Sequence, residues 1–207
     1  QEPPKTMDEV VEYARKITEW GKDQGIYGFA MQLKSPATIG ERVIDQVGYR
    51  NEICAYDYTT GTYDFSVMKP VLEPFRQMYE EKIMFPGAEG LDTDPMRTQF
   101  AAGKIGMYIH GNWEPTIFAE NGQFPAQCNW SAVPIPGIGT DDPKGRTDIK
   151  NAGKSWGISS TCKNPEKAWE YIQYMLSDDY MKEYHEAGQG TVIIPSVTKI
   201  ANQPDMA

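Results

Sequence analysis

Thr6-Met7-Asp8-Glu9 follows Pro3-Pro4 and has the Thr-x-x-Glu form of a capping box, which fixes a helix start at the head of the chain. Val10, Val11, Ala14, Ile17 and Trp20 then recur at helical spacing until Gly21 or Gly25 ends the run. Directly behind it, Tyr27 to Leu33 reads as a strand. A capped amphipathic helix feeding a strand restricts the chain to architectures that layer helices on a sheet. The expectation is an α/β sandwich entered partway through. Trp20 is expected in the buried stripe.

Further elements follow the same logic. Residues 36–48 carry a weak helical signal. Tyr56 to Tyr63 places the turn Thr60-Gly61 between aromatic residues, the pattern of a hairpin or an ordered loop. Met68 to Ile83 predicts a helix with Val71, Phe75, Met78 and Tyr79 on one face, in which Pro74 must cause a kink or delay the start. A short helix is expected from Pro95 to Gly103, then a strand over Ile105–Ile109, then a short helix over Glu114–Glu120. Strands are also expected over Trp130–Ile135 and Ala152–Ser159, with a polar loop between them through Lys150. Asn164-Pro165-Glu166 starts a helix with Trp169, Ile172, Met175 and Leu176 as its buried stripe, and Ser177-Asp178-Asp179 caps another.

Charge narrows the partners. The chain has 29 acidic and 20 basic residues, a formal charge of −9, and no Lys/Arg cluster to offset it. Nucleic acid and anionic membrane surfaces are therefore poor partners. No window approaches about 18 uninterrupted apolar residues, so no membrane-spanning helix is expected. Gln1-Glu2-Pro3-Pro4-Lys5 does not read as a signal peptide, a feature that a mature exported protein shares. Cys54, Cys128 and Cys162 lack metal-type spacing. One bridge with a spare thiol and three reduced, buried thiols both remain open, the second favoured. With His110 and His185 the only histidines, neither a metal nor another cofactor is expected.

Catalytic frames are also missing from the pattern. Ser155 and Ser159 form no nucleophile elbow, and Gly188-Gln189-Gly190 lacks the strand-to-helix setting of a phosphate cradle. The carboxylate pairs Glu80/Glu81, Asp141/Asp142 and Asp178/Asp179 read as solvated faces. Aromatic residues in polar, glycine-rich settings are the better lead. In Gly-Lys-Ile-Gly-Met-Tyr-Ile-His-Gly-Asn-Trp (103–113), a strand ends in Gly111, Asn112 and Trp113 at the mouth of a helix. A flat indole there can stack on a pyranose while amides and unpaired helix N–H groups take its hydroxyls. Packing is the competing reading for Trp113. Trp156, flanked by Gly153 and Gly157 on a short strand, has the same two readings, packing being the favoured one.

Four segments resemble the family of extracellular solute-binding proteins of ABC importers that includes maltose-binding protein. They are "PPKTMDEVVEYARKITEWGKDQGIYGFA", "FAAGKIGMYIHGNW", "WSAVPIPG" and "GISSTCKNPEKAWEYIQYMLSDD", in the family's order. The resemblance implies a periplasmic-binding-protein-like α/β fold of two hinged lobes, of which this chain supplies mainly the second, C-terminal one. It implies that residues 1–126 and 177–207 form that lobe and that 127–176 cross to the first. The N-terminal lobe and the closing helices would then lie outside this sequence.

Carried over by position, the resemblance implies that Trp113 stacks on sugar with Gly111 and Asn112 beside it. Ser155 and Trp156 would line the opposite side of the cleft. Asn112 replaces the family proline before the tryptophan, so specificity need not carry over. The expected function is non-catalytic recognition of a mono- or oligosaccharide, delivered to an ABC permease from an extracellular or periplasmic site, with a lipoprotein anchor when full length. A carbohydrate-active enzyme is the rival from another class and would need Glu114 or Glu41 in a facing pair. A binder of a peptide or polyamine is the third reading.

Overall fold

The computed structural model describes residues 2–35, 39–51, 53–111, 113–138, 156–189, 192 and 194–199, without the side chains of Glu41, Arg42 and Thr198. The chain separates into two compact units: residues 1–111 with 124–150, and residues 112–123 with 151–207.

Helix α1 (Met7–Gly21) opens the first unit on the expected cap, where the Thr6 hydroxyl accepts from the Glu9 amide at 3.2 Å. The Glu9 carboxylate reaches back to the amide of Lys5, at 2.6 Å, so the box closes one residue earlier than its usual form. Met7, Val10, Val11 and Ala14 are buried along its inner face. Trp20 is not: it is 70% exposed. Ten residues beyond Val10 the helix has turned about 280°, which carries Trp20 off the buried arc.

Strand β1 (Tyr27–Phe29) is shorter than the sequence suggests. It pairs in parallel with β4 (Ile105–Met107), in register Tyr27 with Ile105 and Phe29 with Met107. On its other edge Phe29 forms a parallel bridge with Met84. Two glycines let α1 lie against this ribbon. A β-carbon on Gly28 would stand 2.1 Å from the Ala14 carbonyl oxygen, and one on Gly106 would stand 2.9 Å from Ile17 Cδ1. Thr18 knits the layers together: its hydroxyl accepts from the Gly28 amide at 2.8 Å and donates to the Ile83 carbonyl at 3.3 Å.

After β1, a π-helical turn (Gly40–Ile44) runs into α2 (Asp45–Arg50). The hairpin then forms as expected, β2 (Tyr56–Asp57) against β3 (Thr62–Tyr63). Helix α3 (Lys69–Glu80) runs through Pro74 instead of starting after it, with Pro70 in its first turn and a 3₁₀ turn (Phe65–Met68) before it. Val71, Phe75 and Met78 join Met7, Val10, Phe29 and Val47 in the core, and the Phe29 and Phe75 rings lie 5.9 Å apart. Helix α4 (Thr93–Ala101), capped by Asp92, leads through Gly103 at φ 70° into β4.

Residues 130–135 are not a strand. Pro134 and Pro136 remove the donors a ladder needs, and Gly137 makes a single parallel bridge with Thr6. The Arg50 guanidinium donates to the Ile135 carbonyl at 3.0 Å, and the Ile138 amide donates to the Asn51 side chain at 2.7 Å.

The second unit holds α5 (Glu114–Phe118), α6 (Pro165–Met175), α7 (Asp178–Glu186) and α8 (Pro195–Thr198). Asn164 sits at the N-cap of α6 without a side-chain cap bond, while Ser177 caps α7 through the Tyr180 amide at 3.3 Å. The buried line of α6 is Ile172 and Met175 with half-buried Ala168. Trp169 and Leu176 are 53% and 49% exposed, correcting the expected stripe. Both lie roughly 40–60° past Ile172 on the helical wheel, beyond the narrow buried line. Residues 156–159 are not in a strand, and 152–155 lie outside the described residues. The cysteines are free, yet none is buried: Cys128 is exposed and the other two half-buried.

Candidate functional site

The candidate site of the first unit is the place where its two parallel strands end. Parallel strands leave their carboxyl ends open to ligands because the connections return on the faces. The Ala30 amide donates to the Met107 carbonyl at 3.0 Å, so the two strands run side by side one residue past the ladder. Beyond that point β1 continues into Met31 and Gln32, and β4 into Tyr108, Ile109, His110 and Gly111. Gln32 is 1% exposed, and among the described residues its Nε2 has no hydrogen-bond partner. A buried donor left unpaired at a strand end marks a position for attention. The half-buried Tyr108 ring packs at 4.8 Å from Phe100 and at 6.0 Å from His110.

Farther along, backbone bonds from Leu33 to the Ala88 carbonyl (2.9 Å) and from Lys34 to the Leu91 carbonyl (3.3 Å) pin the chain that leaves β1. There an open groove of about 410 Å³ is lined by Lys34, Asp92, Thr93, Asp94 and Pro95. Lys34 Nζ stands 3.2 Å from Asp92. The Asp92 carboxylate also accepts the Thr93 amide at 2.9 Å. That amide first, and Lys34 second, hold the Asp92 carboxyl below its ordinary range. The groove therefore presents the Lys34 amine beside the carboxyl groups of Asp92 and Asp94, a set of donors and acceptors that suits a ligand rich in hydroxyls.

The five residues expected at the site fall in different places. Gly111 is half-buried at the end of the β4 extension. Trp113 and Trp156 belong to the second unit. Trp113 is half-buried, sits at the N-cap of α5 with φ −90°, and accepts the Thr116 hydroxyl on its carbonyl at 2.9 Å. Trp156 is 60% exposed. Asn112 and Ser155 lie outside the described residues. Of the two carboxylates an enzyme would need, Glu114 is 5% exposed in the first turn of α5, and the side chain of Glu41 lies outside the described residues. Among the described residues, no group of three or more His, Cys, Asp and Glu side chains is arranged to hold a metal.

Gln32, Lys34 and Asp92 were not singled out by sequence. A polar residue just after an apolar strand was the available signal for Gln32. Asp92 reads first as a helix cap, which it also is.

The sequence profile of the family described as bacterial extracellular solute-binding protein matches residues 1–182. The chain belongs to this family. Solved structures of the same fold include an ABC transporter solute-binding protein of Thermotoga lettingae bound to α-D-tagatose, 22% identical with a TM-score of 0.67. That match covers 92% of this chain and 47% of the other. Maltose-bound MalE3 of T. maritima is 16% identical with a TM-score of 0.65, over 96% of this chain and 50% of the other. A sugar transporter of Bacillus licheniformis in complex with stachyose is 17% identical with a TM-score of 0.61, over 90% and 48%. The chain thus spans about half the length of these structures. No curated protein sequence matches it. The mixed α/β fold is periplasmic-binding-protein-like, as the four sequence segments imply.

Proposed function

We propose that this solute-binding protein recognises a mono- or oligosaccharide for an ABC importer and does not transform it. Family membership over residues 1–182 carries the reading. The three structural relatives hold tagatose, maltose and stachyose, which favours a sugar over a peptide or polyamine. The groove beside Lys34 and Asp92 supports a polyhydroxylated ligand through its alternating donors and acceptors. In this reading Trp113 stacks on a sugar ring, with Gly111 and Asn112 beside it and Ser155 and Trp156 across the cleft. Residues 1–126 and 177–207 make up most of one lobe, residues 127–176 pass to the other, and the lobes close on the solute before presenting it to the permease. The protein works outside the cytoplasmic membrane, held by a lipid anchor.

Calorimetric titration of the full-length protein with a panel of neutral mono- and oligosaccharides, polyamines and short peptides tests the proposal. Saturable binding of at least one sugar, recovered chemically unchanged, is the expected result. Binding confined to polyamines or peptides, or a changed sugar product, would overturn it.

A further inference from the structure

The hairpin of the first unit carries a feature that the strand-end site does not use. The hairpin pairs Tyr56-Asp57 with Thr62-Tyr63, and Tyr58 in the turn and Phe65 in the following 3₁₀ turn join Tyr56 and Tyr63 in one aromatic cluster. The structure keeps that set together. Tyr56 lies opposite Tyr63 in the register, with ring centroids 4.9 Å apart, and meets Tyr58 edge-on at 4.8 Å and 87°. Tyr63 and Phe65 lie parallel to within 6° at 5.6 Å, an offset arrangement that leaves part of each ring face uncovered. Tyr58, Tyr63 and Phe65 are 81%, 67% and 71% exposed. Three exposed aromatics clustered with half-buried Tyr56 form an apolar patch of the kind that marks a binding face.

The side-chain chemistry narrows the ligand. No Lys, Arg or His occurs between Arg50 and Lys69, so the hairpin itself carries no cation for an anion. Asp57 and Asp64 are engaged within their own turns. Asp57 accepts the Thr59 amide and the Thr60 hydroxyl, both at 2.8 Å, and Asp64 accepts the amide and hydroxyl of Ser66 at 2.9 and 2.6 Å. A cation can also be held over ring faces alone, so it is the carbohydrate reading of the protein, not charge, that favours a sugar here. What the face offers is ring surface with phenol hydroxyls at the edge, the chemistry that takes the C–H face and hydroxyl rim of a neutral sugar.

We propose that this hairpin is a second carbohydrate-binding platform, on which consecutive rings of a neutral polysaccharide stack against Tyr63 and Phe65 with Tyr58 at the margin. The choice of a sugar chain rests on the carbohydrate reading of the protein. The platform would hold polymer near the protein without passing through the importer's solute site.

Native electrophoresis of the full-length protein through gels containing soluble starch, xylan or dextran tests this. Retardation in at least one gel is expected, reduced roughly tenfold in affinity in Y63A/F65A and kept in F65Y. The melting temperature should be unchanged, because both side chains are exposed. Short-sugar binding measured by calorimetry should survive in Y63A/F65A and fall in W113A. No retardation of the parent protein in any gel, or retardation indifferent to Y63A/F65A, overturns the platform. Sugar binding by calorimetry in that case leaves the solute-recognition reading standing. Self-association abolished by Y63A/F65A, without retardation, overturns it too and gives the face to a second protein copy.

Discussion

Gly28 in β1 lies so close to Ala14 in α1 that a β-carbon on it would stand 2.1 Å from the Ala14 carbonyl oxygen. Backbone meets backbone there, so no side chain can swing aside. Gly28→Ala should therefore force the helix off the strand and cost at least about 1–3 kcal/mol. Gly40→Ala is the control: nothing lies within 4 Å of its β-carbon, and alanine gains about 1 kcal/mol of helix propensity at most. Denaturant melts of the two variants should separate clearly. Equal midpoints would mean that helix and strand are not in contact.

Thr6→Ala should lower stability by about 1 kcal/mol, since the hydroxyl caps the Glu9 amide. Thr6→Ser should restore most of that. Chemical denaturation reads both.

Acid should loosen the pairing of α1 with the end of α3. Arg15 grips the Glu81 carboxylate through two bonds of 2.5 and 2.7 Å, which holds its pKa below 4.5. A depressed carboxyl contributes stability that is complete above its unfolded pKa and is lost as pH falls through the folded one. The window is thus below about pH 4.5, and the effect is small because the pair is solvent-facing. Thermal melts of Glu81→Gln and the parent should converge as pH drops towards 3. A constant gap across that range would show that the pair contributes through packing alone.

Gln32→Leu separates a structural amide from a binding one. Removing a buried, unpaired donor should leave the melting temperature unchanged or higher. If the amide serves the solute, sugar affinity should fall about tenfold. Lost stability with intact affinity would assign Gln32 to the fold.

Met78→Ala should cost about 2–5 kcal/mol, because Met78 is fully buried in the core. Trp169→Ala, at a residue 53% exposed, should cost less despite the larger side chain. Paired urea melts rank the two.

That last comparison marks how much of the molecule the sequence makes legible. Local signals read well: the Thr6 cap, the hairpin at Thr60-Gly61 and the strand entering from Gly103 all depend on neighbours in sequence. Burial reads less well. Trp20 and Trp169 look like core residues because indole is apolar, but the helix wheel sets each beside the buried line and leaves it in water. The strand expected over 130–135 fails because the prolines outweigh the β-favouring residues around them. At the site, Trp113 stands out as a large residue at a junction. Lys34 and Asp92 come together only through the chain's return past Leu91, which no local pattern encodes.

The bond from the Met7 amide to the Gly137 carbonyl at 2.7 Å, returned by the Gly137 amide to Lys5 at 2.9 Å, also sets a schedule. Met7 opens α1, while Gly137 follows it in the chain only after the whole of α3, α4 and β4. Until Gly137 has been made, the Met7 amide lacks this acceptor. This bond, with those from Arg50 to Ile135 and from Ile138 to Asn51, is among the last ties that synthesis lets the first unit form.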